Sequence, residues 1–202
     1  MKLYYSPGAC SLSPHIALKE SGLAFEAIAA PTKTHKLADG TDYYTINPLG
    51  YVPFLVLDDG RTLHEVTAIV QYVADQVPDK QLAPANGSWE RYKLQEWLNT
   101  IATELHKGFS PLFTPGMPEQ AKEMAKTRLM SRLTWVDGEL AGKSYLLGDT
   151  FTVADAYLFV VAGWGKHVGI DIAALANLSA FMTRVGVRPA VQAALRAEGL
   201  LK

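Results

Sequence analysis

Residues 51 to 65 run Tyr51-Val52-Pro53-Phe54-Leu55-Val56-Leu57-Asp58-Asp59-Gly60-Arg61-Thr62-Leu63-His64-Glu65. An extended apolar run, an Asp-Gly turn and a second short extended run predict a β-hairpin. Pro53 has no N–H to give to a ladder, so it belongs at a strand edge or in a special turn. Residues 66–77 follow at once, with Ile69, Val70 and Val73 on one face. That spacing predicts a helix packed against the hairpin.

Upstream, Leu3-Tyr4-Tyr5 reads as a strand that stops at Ser6-Pro7-Gly8. Residues 11–21 read as a helix, with Pro14 in its first turns and Gly22 as its stop. Residues 25–30 form a further strand, and 31–47 are polar and irregular. Strand, helix, strand, irregular segment, strand, strand, helix predicts a small mixed sheet with helices on its faces. Residues 78–88, with Pro84, Asn86 and Gly87, read as a connection. The expected organisation is a sheet domain over 1–80, a linker over 81–87 and an all-helical domain over 88–202.

The helical half has its own signals. Residues 89–109 read as one long helix with Ser88 as N-cap, and 118–140 as another. Thr152-Val153-Ala154-Asp155 is an acidic variant of the capping box, with Phe151 placed as the hydrophobic staple. The helix it opens carries Tyr157, Leu158, Val160 and Val161 and is apolar nearly all round, the pattern of a buried central helix. Shorter helices are expected over 170–176, 178–185 and 189–197.

The composition narrows the function classes. The 202 residues are 49% hydrophobic with a net charge of −1, so there is material for two cores and no basic surplus for nucleic acid. No stretch is long and apolar enough for a membrane span or a signal peptide, so a cytoplasmic protein with no membrane partner is expected. The single cysteine, Cys10, excludes an internal disulfide.

Several residues could carry chemistry. Cys10 follows a strand and a turn at the mouth of a helix, where backbone N–H groups and the helix dipole favour a thiolate. It reads equally as a small buried hydrophobe packing the turn. Glu65 precedes a helix; it either favours the helix N-terminus or points outward to bind an ammonium group. On an ideal helix Asn99, Thr103 and His106 share one polar stripe, nearly opposite Leu94, Trp97, Leu98, Ile101 and Leu105. The apolar stripe is core; the polar one faces water, the other domain or a ligand.

Tyr5-Ser6-Pro7-Gly8-Ala9-Cys10-Ser11, Asn47-Pro48-Leu49-Gly50-Tyr51-Val52-Pro53, Glu65 with the helix to Asp75, Glu96-Trp97-Leu98-Asn99, residues 103–109 and residues 151–157 occur in this order along essentially the whole chain. Together they resemble the bacterial beta-class glutathione transferases. The resemblance implies an α/β thioredoxin-like N-terminal domain plus an all-α C-terminal domain, and a homodimer with one glutathione site per subunit. It implies conjugation of the glutathione thiolate to a hydrophobic electrophile, with glutathione as co-substrate and no metal. Thiol–disulfide exchange through Cys10 and non-enzymatic binding of hydrophobic ligands are the alternatives.

The site residues follow from the same resemblance. Cys10 and His106 would be catalytic, with Ala9 and Cys10 against the glutathione sulfur. Val52, before a cis Pro53, would pair with the cysteinyl backbone. Glu65 and Val66 would hold the γ-glutamyl end, approached by Asn99, Thr103 and Glu104, some of them across the dimer. His106 and Lys107 would lie near the Cys10 side and the glycyl carboxylate. Phe109 and Trp164 would wall the hydrophobic pocket, with Tyr157 and His167 as lesser candidates. Tyr5 is an alternative thiol activator, as an N-terminal tyrosine is in other transferase classes. The family pattern is broken at His35, where lysine is usual, and at Val66, where serine or glycine is usual; weaker glutathione binding is expected from both.

Overall fold

A computed structural model describes residues 1–201. By its internal packing the chain forms two compact units, residues 1–83 with 187–202, and residues 84–186. Among the described residues no helix is long and apolar enough to cross a membrane.

The first unit is built on β1 (Lys2–Tyr5), β2 (Glu26–Ala29), β3 (Phe54–Val56) and β4 (Thr62–His64) in the order β2-β1-β3-β4. β1 runs parallel to β2 and antiparallel to β3, and β3 is antiparallel to β4. Side chains alternate across the strands. Leu3 and Leu55, paired and fully buried, share one face. Tyr4 and Phe54 share the other, where they join Tyr43, Val52 and Ala30 in a second cluster. Helices α1 (Leu12–Ser21) and α2 (Val66–Asp75) pack together and bury Ile16, Leu18, Ile69, Val70 and Val73. β3 is shorter than the extended run of residues 51–57, because Pro53 cannot extend the ladder.

The last helix, α9 (Pro189–Ala197), belongs with the sheet unit and packs on α1. The helical domain expected over 88–202 therefore ends near 186. Val191 and Ala194 are buried, and Arg188 is bound to Glu20 at 2.6 and 3.0 Å.

The second unit holds α3 (Trp89–Thr100), a π-helical segment Ile101–His106, α4 (Lys107–Phe113), α5 (Glu119–Glu139), α6 (Val153–Gly163), α7 (Gly165–Val168) and α8 (Ala176–Gly186). Ser88 caps α3 through Arg91 N–H at 3.1 Å, as read from the sequence. The single helix expected over 89–109 instead changes to i→i+5 bonding over six residues. The helix expected over 170–176 is absent. Gly169 ends α7 in the left-handed conformation, and the Asp171 carboxylate accepts from Ala173 N–H at 2.8 Å, which favours a turn over a helix.

α6 runs through the centre of this unit. Val153, Ala154, Ala156, Leu158 and Val161 are all fully buried. Its start is fixed by Asp155, also fully buried. The Asp155 carboxylate accepts from Thr152 N–H at 2.7 Å, Thr152 Oγ1 at 2.9 Å and Leu146 N–H at 2.8 Å. Replacing it strands three buried donors at once. Asp155→Ala is expected to lower unfolding free energy by about 2–4 kcal/mol. Urea unfolding followed by circular dichroism reads this; a loss under about 1 kcal/mol would contradict the capping account.

Candidate active site

In the sheet unit, Ser6 to Ala9 form a tight turn between β1 and α1. Ala9 N–H donates to Ser6 C=O at 3.0 Å, and Gly8 sits at φ +73°, which its missing Cβ permits. Ser11 Oγ accepts from Ser6 N–H at 3.1 Å and so ties both ends of the turn. Cys10 is thereby held at the entry to α1, half-buried. Its Sγ donates to Val52 C=O at 3.3 Å. Cys10 is neither sealed in the core nor fully exposed.

The Val52–Pro53 peptide is cis. The backbone before it is anchored twice: Tyr43 Oη and Asn47 Nδ2 both donate to Tyr51 C=O at 2.9 Å. Burial pushes the Tyr43 phenol up to about 12, so it remains a donor at any physiological pH. Asn47 is itself buried. Cys10, Val52 and Pro53, distant in sequence, are thus brought together.

Glu65 is exposed and stands just before α2 at φ +70°, ψ 124°, an uncommon conformation for a residue with a side chain. Its side chain does not cap the helix. Val66 is the first residue of α2; its side chain is buried, and its N–H is a first-turn donor with no intrahelical acceptor. A serine hydroxyl at position 66 would point into the core.

His35 also has positive φ, +50°. Its ring lies on Tyr44 at 4.5 Å, and its Nδ1 is buried with no partner among the described residues. Tyr5 packs against His15 at 5.5 Å; burial, and next the Glu198 carboxylate, push its phenol up. That removes it as a source of phenolate.

In the helical unit, the π segment alters the register expected of an ideal helix. Asn99 and Thr103 are exposed, and Thr103 Oγ1 donates to Asn99 C=O at 3.0 Å. The extra residue in the turn rotates His106 off their stripe and inward. His106 Nδ1 lies 2.6 Å from Tyr157 Oη, and its ring meets Trp164 edge to face at 5.0 Å. Burial, then the neighbouring Lys107 ammonium, bring the imidazole down to about 4. His106 is therefore neutral near pH 7 and is no cation for a thiolate. The neutral ring has one N–H, on Nδ1 when it donates to Tyr157 Oη and on Nε2 when it accepts from it. Lys107 is exposed.

Glu104 does not present a free carboxylate. Arg128 Nη2 at 3.0 Å and Arg132 Nε at 2.9 Å both donate to its Oε2 and hold its carboxyl below the usual range. Phe109 is fully buried, 5.7 Å from Trp164 and 6.2 Å from Phe113. It backs the aromatic group rather than lining a surface. Phe113, half-exposed and 6.0 Å from Trp164, is the exposed member of this aromatic group and was not singled out from the sequence. Its position four residues after Phe109 was the available signal. Tyr157 is buried and His167 exposed.

Comparison with known proteins gives a consistent picture. A model of the glutathione S-transferase N-terminal domain matches residues 8–76, and one of the C-terminal domain matches residues 100–189. Glutathione S-transferase GstA of Escherichia coli O157:H7 is 50% identical over 200 residues, 99% of this chain and 100% of that protein. The solved ternary complex of BphK, a bacterial GST, is 62% identical with a TM-score of 0.97, covering 99% of this chain and 100% of that one. The beta-class glutathione S-transferase of Sphingomonas chungbukensis is 52% identical with a TM-score of 0.96, both chains being fully covered.

The neutral state of His106 has a measurable consequence. A histidine whose folded pKa is depressed from 6.5 to about 4 leaves the native state less protonated than the unfolded one between those values, so stability falls as pH drops through that window. The His106 ring resonances are expected to stay flat from pH 8 to about 5.5 and to move only near 4. A midpoint above about 6 by NMR titration would refute the buried, neutral assignment.

Proposed function

Because the chain belongs to the glutathione S-transferase family, we propose that its sheet unit holds glutathione with the sulfur beside Cys10 and that the enzyme conjugates this thiol to hydrophobic electrophiles. The observation that carries the reading is the Cys10 Sγ to Val52 C=O contact of 3.3 Å at the mouth of α1. It puts a thiol-bearing helix entry next to the Val52–Pro53 backbone just ahead of β3.

Glutathione is the co-substrate. In this reading Val52 pairs with its cysteinyl backbone, beside Pro53. Glu65 takes the γ-glutamyl ammonium and Val66 N–H its carboxylate. Cys10 offers its backbone N–H to the sulfur, with Ala9, whose own N–H is bound to Ser6 C=O, packed beside it. His35 and Lys107 are the candidates for the glycyl carboxylate. Asn99 and Thr103 are the remaining polar contacts, with a partner subunit if the enzyme is a homodimer; Glu104 serves chiefly to bind Arg128 and Arg132. Exposed Trp89, Tyr92 and Met124 give the helical unit apolar surface for such a partner. Trp164 and Phe113 supply the apolar surface for the electrophile.

A free thiol has a pKa of about 8.5, so only a few per cent is thiolate at pH 7. The N-terminus of α1 and the Cys10 N–H favour the anion. In this reading Tyr157 donates to Nδ1 and His106 enters as a neutral donor through Nε2–H. The glutathione thiolate attacks the electrophilic carbon; the carbon–sulfur bond forms, and the leaving group departs with its electron pair.

Thiol–disulfide exchange is the second reading, and the half-buried Cys10 thiol at a helix entry favours it. Cys10→Ala separates the two. Conjugation of an aryl halide is expected to fall less than about tenfold, because backbone donors survive, while reduction of a mixed disulfide falls more than about a hundredfold. Equal losses in both assays would make Cys10 indispensable to conjugation. Binding offers a separate check. His35→Lys is expected to tighten glutathione about three- to tenfold in titration calorimetry, an ammonium replacing a ring whose Nδ1 is turned inward. Unchanged or weaker binding would remove His35 from the glycyl subsite.

A further inference from the structure

The turn that carries Cys10 is held from a second side by the end of the chain. Glu198 follows the last turn of α9, and its side chain is fully buried. Its Oε1 lies 2.8 Å from His15 Nδ1, and its Oε2 accepts from Gly8 N–H at 2.9 Å. A carboxylate oxygen only accepts, so His15 Nδ1 donates. His15 is fully buried between Tyr5 and Phe25, each at 5.5 Å, and its Nε2 has no partner among the described residues. The Leu200 side chain closes over Gly8; a Cβ built there would meet it at 3.6 Å.

A buried ion is an inefficient way to dock a helix, since apolar side chains of similar volume do as well or better. α9 is already docked by Val191 and Ala194 and by Arg188 on Glu20. What Glu198 does and a leucine would not is accept the Gly8 N–H, two residues before Cys10. That amide belongs to a turn whose Ala9 and Cys10 backbone must keep its aim.

We propose that Glu198 is a positioning residue for the reaction at Cys10: through Gly8 N–H and His15 Nδ1–H it fixes the turn that presents Ala9 and Cys10 to the glutathione sulfur. This rests on the reading of that turn as the sulfur-binding element. Glu198 itself touches neither substrate nor reacting atom. Losing it lets the turn relax, which weakens glutathione binding and slows reaction, whereas loosening α9 elsewhere lowers stability alone.

The test compares the full-length wild type with Glu198→Ala, Glu198→Gln and Arg188→Gln, each measured for Tm, KM for glutathione and kcat. Glu198→Ala is expected to raise KM for glutathione about tenfold, and Glu198→Gln, which keeps the shape and one acceptor, by less. Arg188→Gln is expected to lower Tm while leaving KM unchanged. The Gln variant carries the comparison should the Ala variant fail to fold. An unchanged KM in the folded Glu198 variants, or an equal rise in Arg188→Gln, overturns the proposal. Alkylation of Cys10 by iodoacetamide reads the turn without glutathione: its rate is expected to change at least about threefold in the Glu198 variants and not in Arg188→Gln. Absence of glutathione turnover in the wild type would sink the proposed function instead, and alkylation alone would then decide the role of Glu198.

Discussion

Two donors, Tyr43 Oη and Asn47 Nδ2, converge on the carbonyl of Tyr51, each at 2.9 Å. The arrangement of the sheet unit depends on that pair of bonds. They fix the chain just before Val52 and Pro53, and so fix where the Val52 carbonyl meets Cys10. Both donors are buried, and an unmade bond at such a depth costs about 1–3 kcal/mol, more than the bond contributes when made. The ring of Tyr43 adds a second tie, since it packs on Tyr4 at 5.5 Å in the buried cluster on the Tyr4 and Phe54 face of β1 and β3. The irregular stretch between β2 and β3 is therefore a support for the site.

The sources of thiolate stabilisation can be ranked by size. His106, kept neutral by burial, brings no positive charge. A helix dipole contributes about 0.3–1 kcal/mol at an exposed position and up to about 2 when partly buried. A hydrogen bond to a charged group contributes about 1.5–3 kcal/mol. Since one pKa unit is about 1.4 kcal/mol, backbone N–H donors at the start of α1 can lower a thiol by about one to two units, and the dipole adds up to about one. Together they are sufficient to bring a thiol near neutrality. In the proposed reading the geometry of the Ser6–Cys10 turn matters more than any nearby charge.

That ranking explains why so much of the sheet unit braces one short turn. Ser11 Oγ binds Ser6 from within, Val52 meets Cys10 from the segment ahead of β3, and Glu198 binds Gly8 from the end of the chain. In the helical unit the comparable device is Asp155, whose three accepted bonds fix the start of α6 and hence Tyr157, the partner of His106.

Local chemistry made the hairpin at Asp58-Asp59-Gly60, the Ser88 cap, the Thr152–Asp155 box and the apolar central helix legible from the residues, because each depends on neighbours a few positions apart. Cys10, Val52, Pro53 and Glu65 were legible as candidates for the same reason: a helix entry, a proline opening a strand and a carboxylate before a helix are local patterns. What the residues alone did not disclose depends on partners far along the chain or on a change of helical period. The π segment turns His106 onto Tyr157 and Trp164, Arg128 and Arg132 occupy Glu104, and Phe109 is covered by its aromatic neighbours. α9 joins the sheet unit because Val191 and Ala194 are buried as it packs on α1 and Arg188 finds Glu20 across 168 residues of sequence, and this brings Glu198 to His15 and Gly8. Sequence spacing determines which faces are apolar and where elements begin; only packing in three dimensions decides which polar groups are already satisfied and which remain to do chemistry.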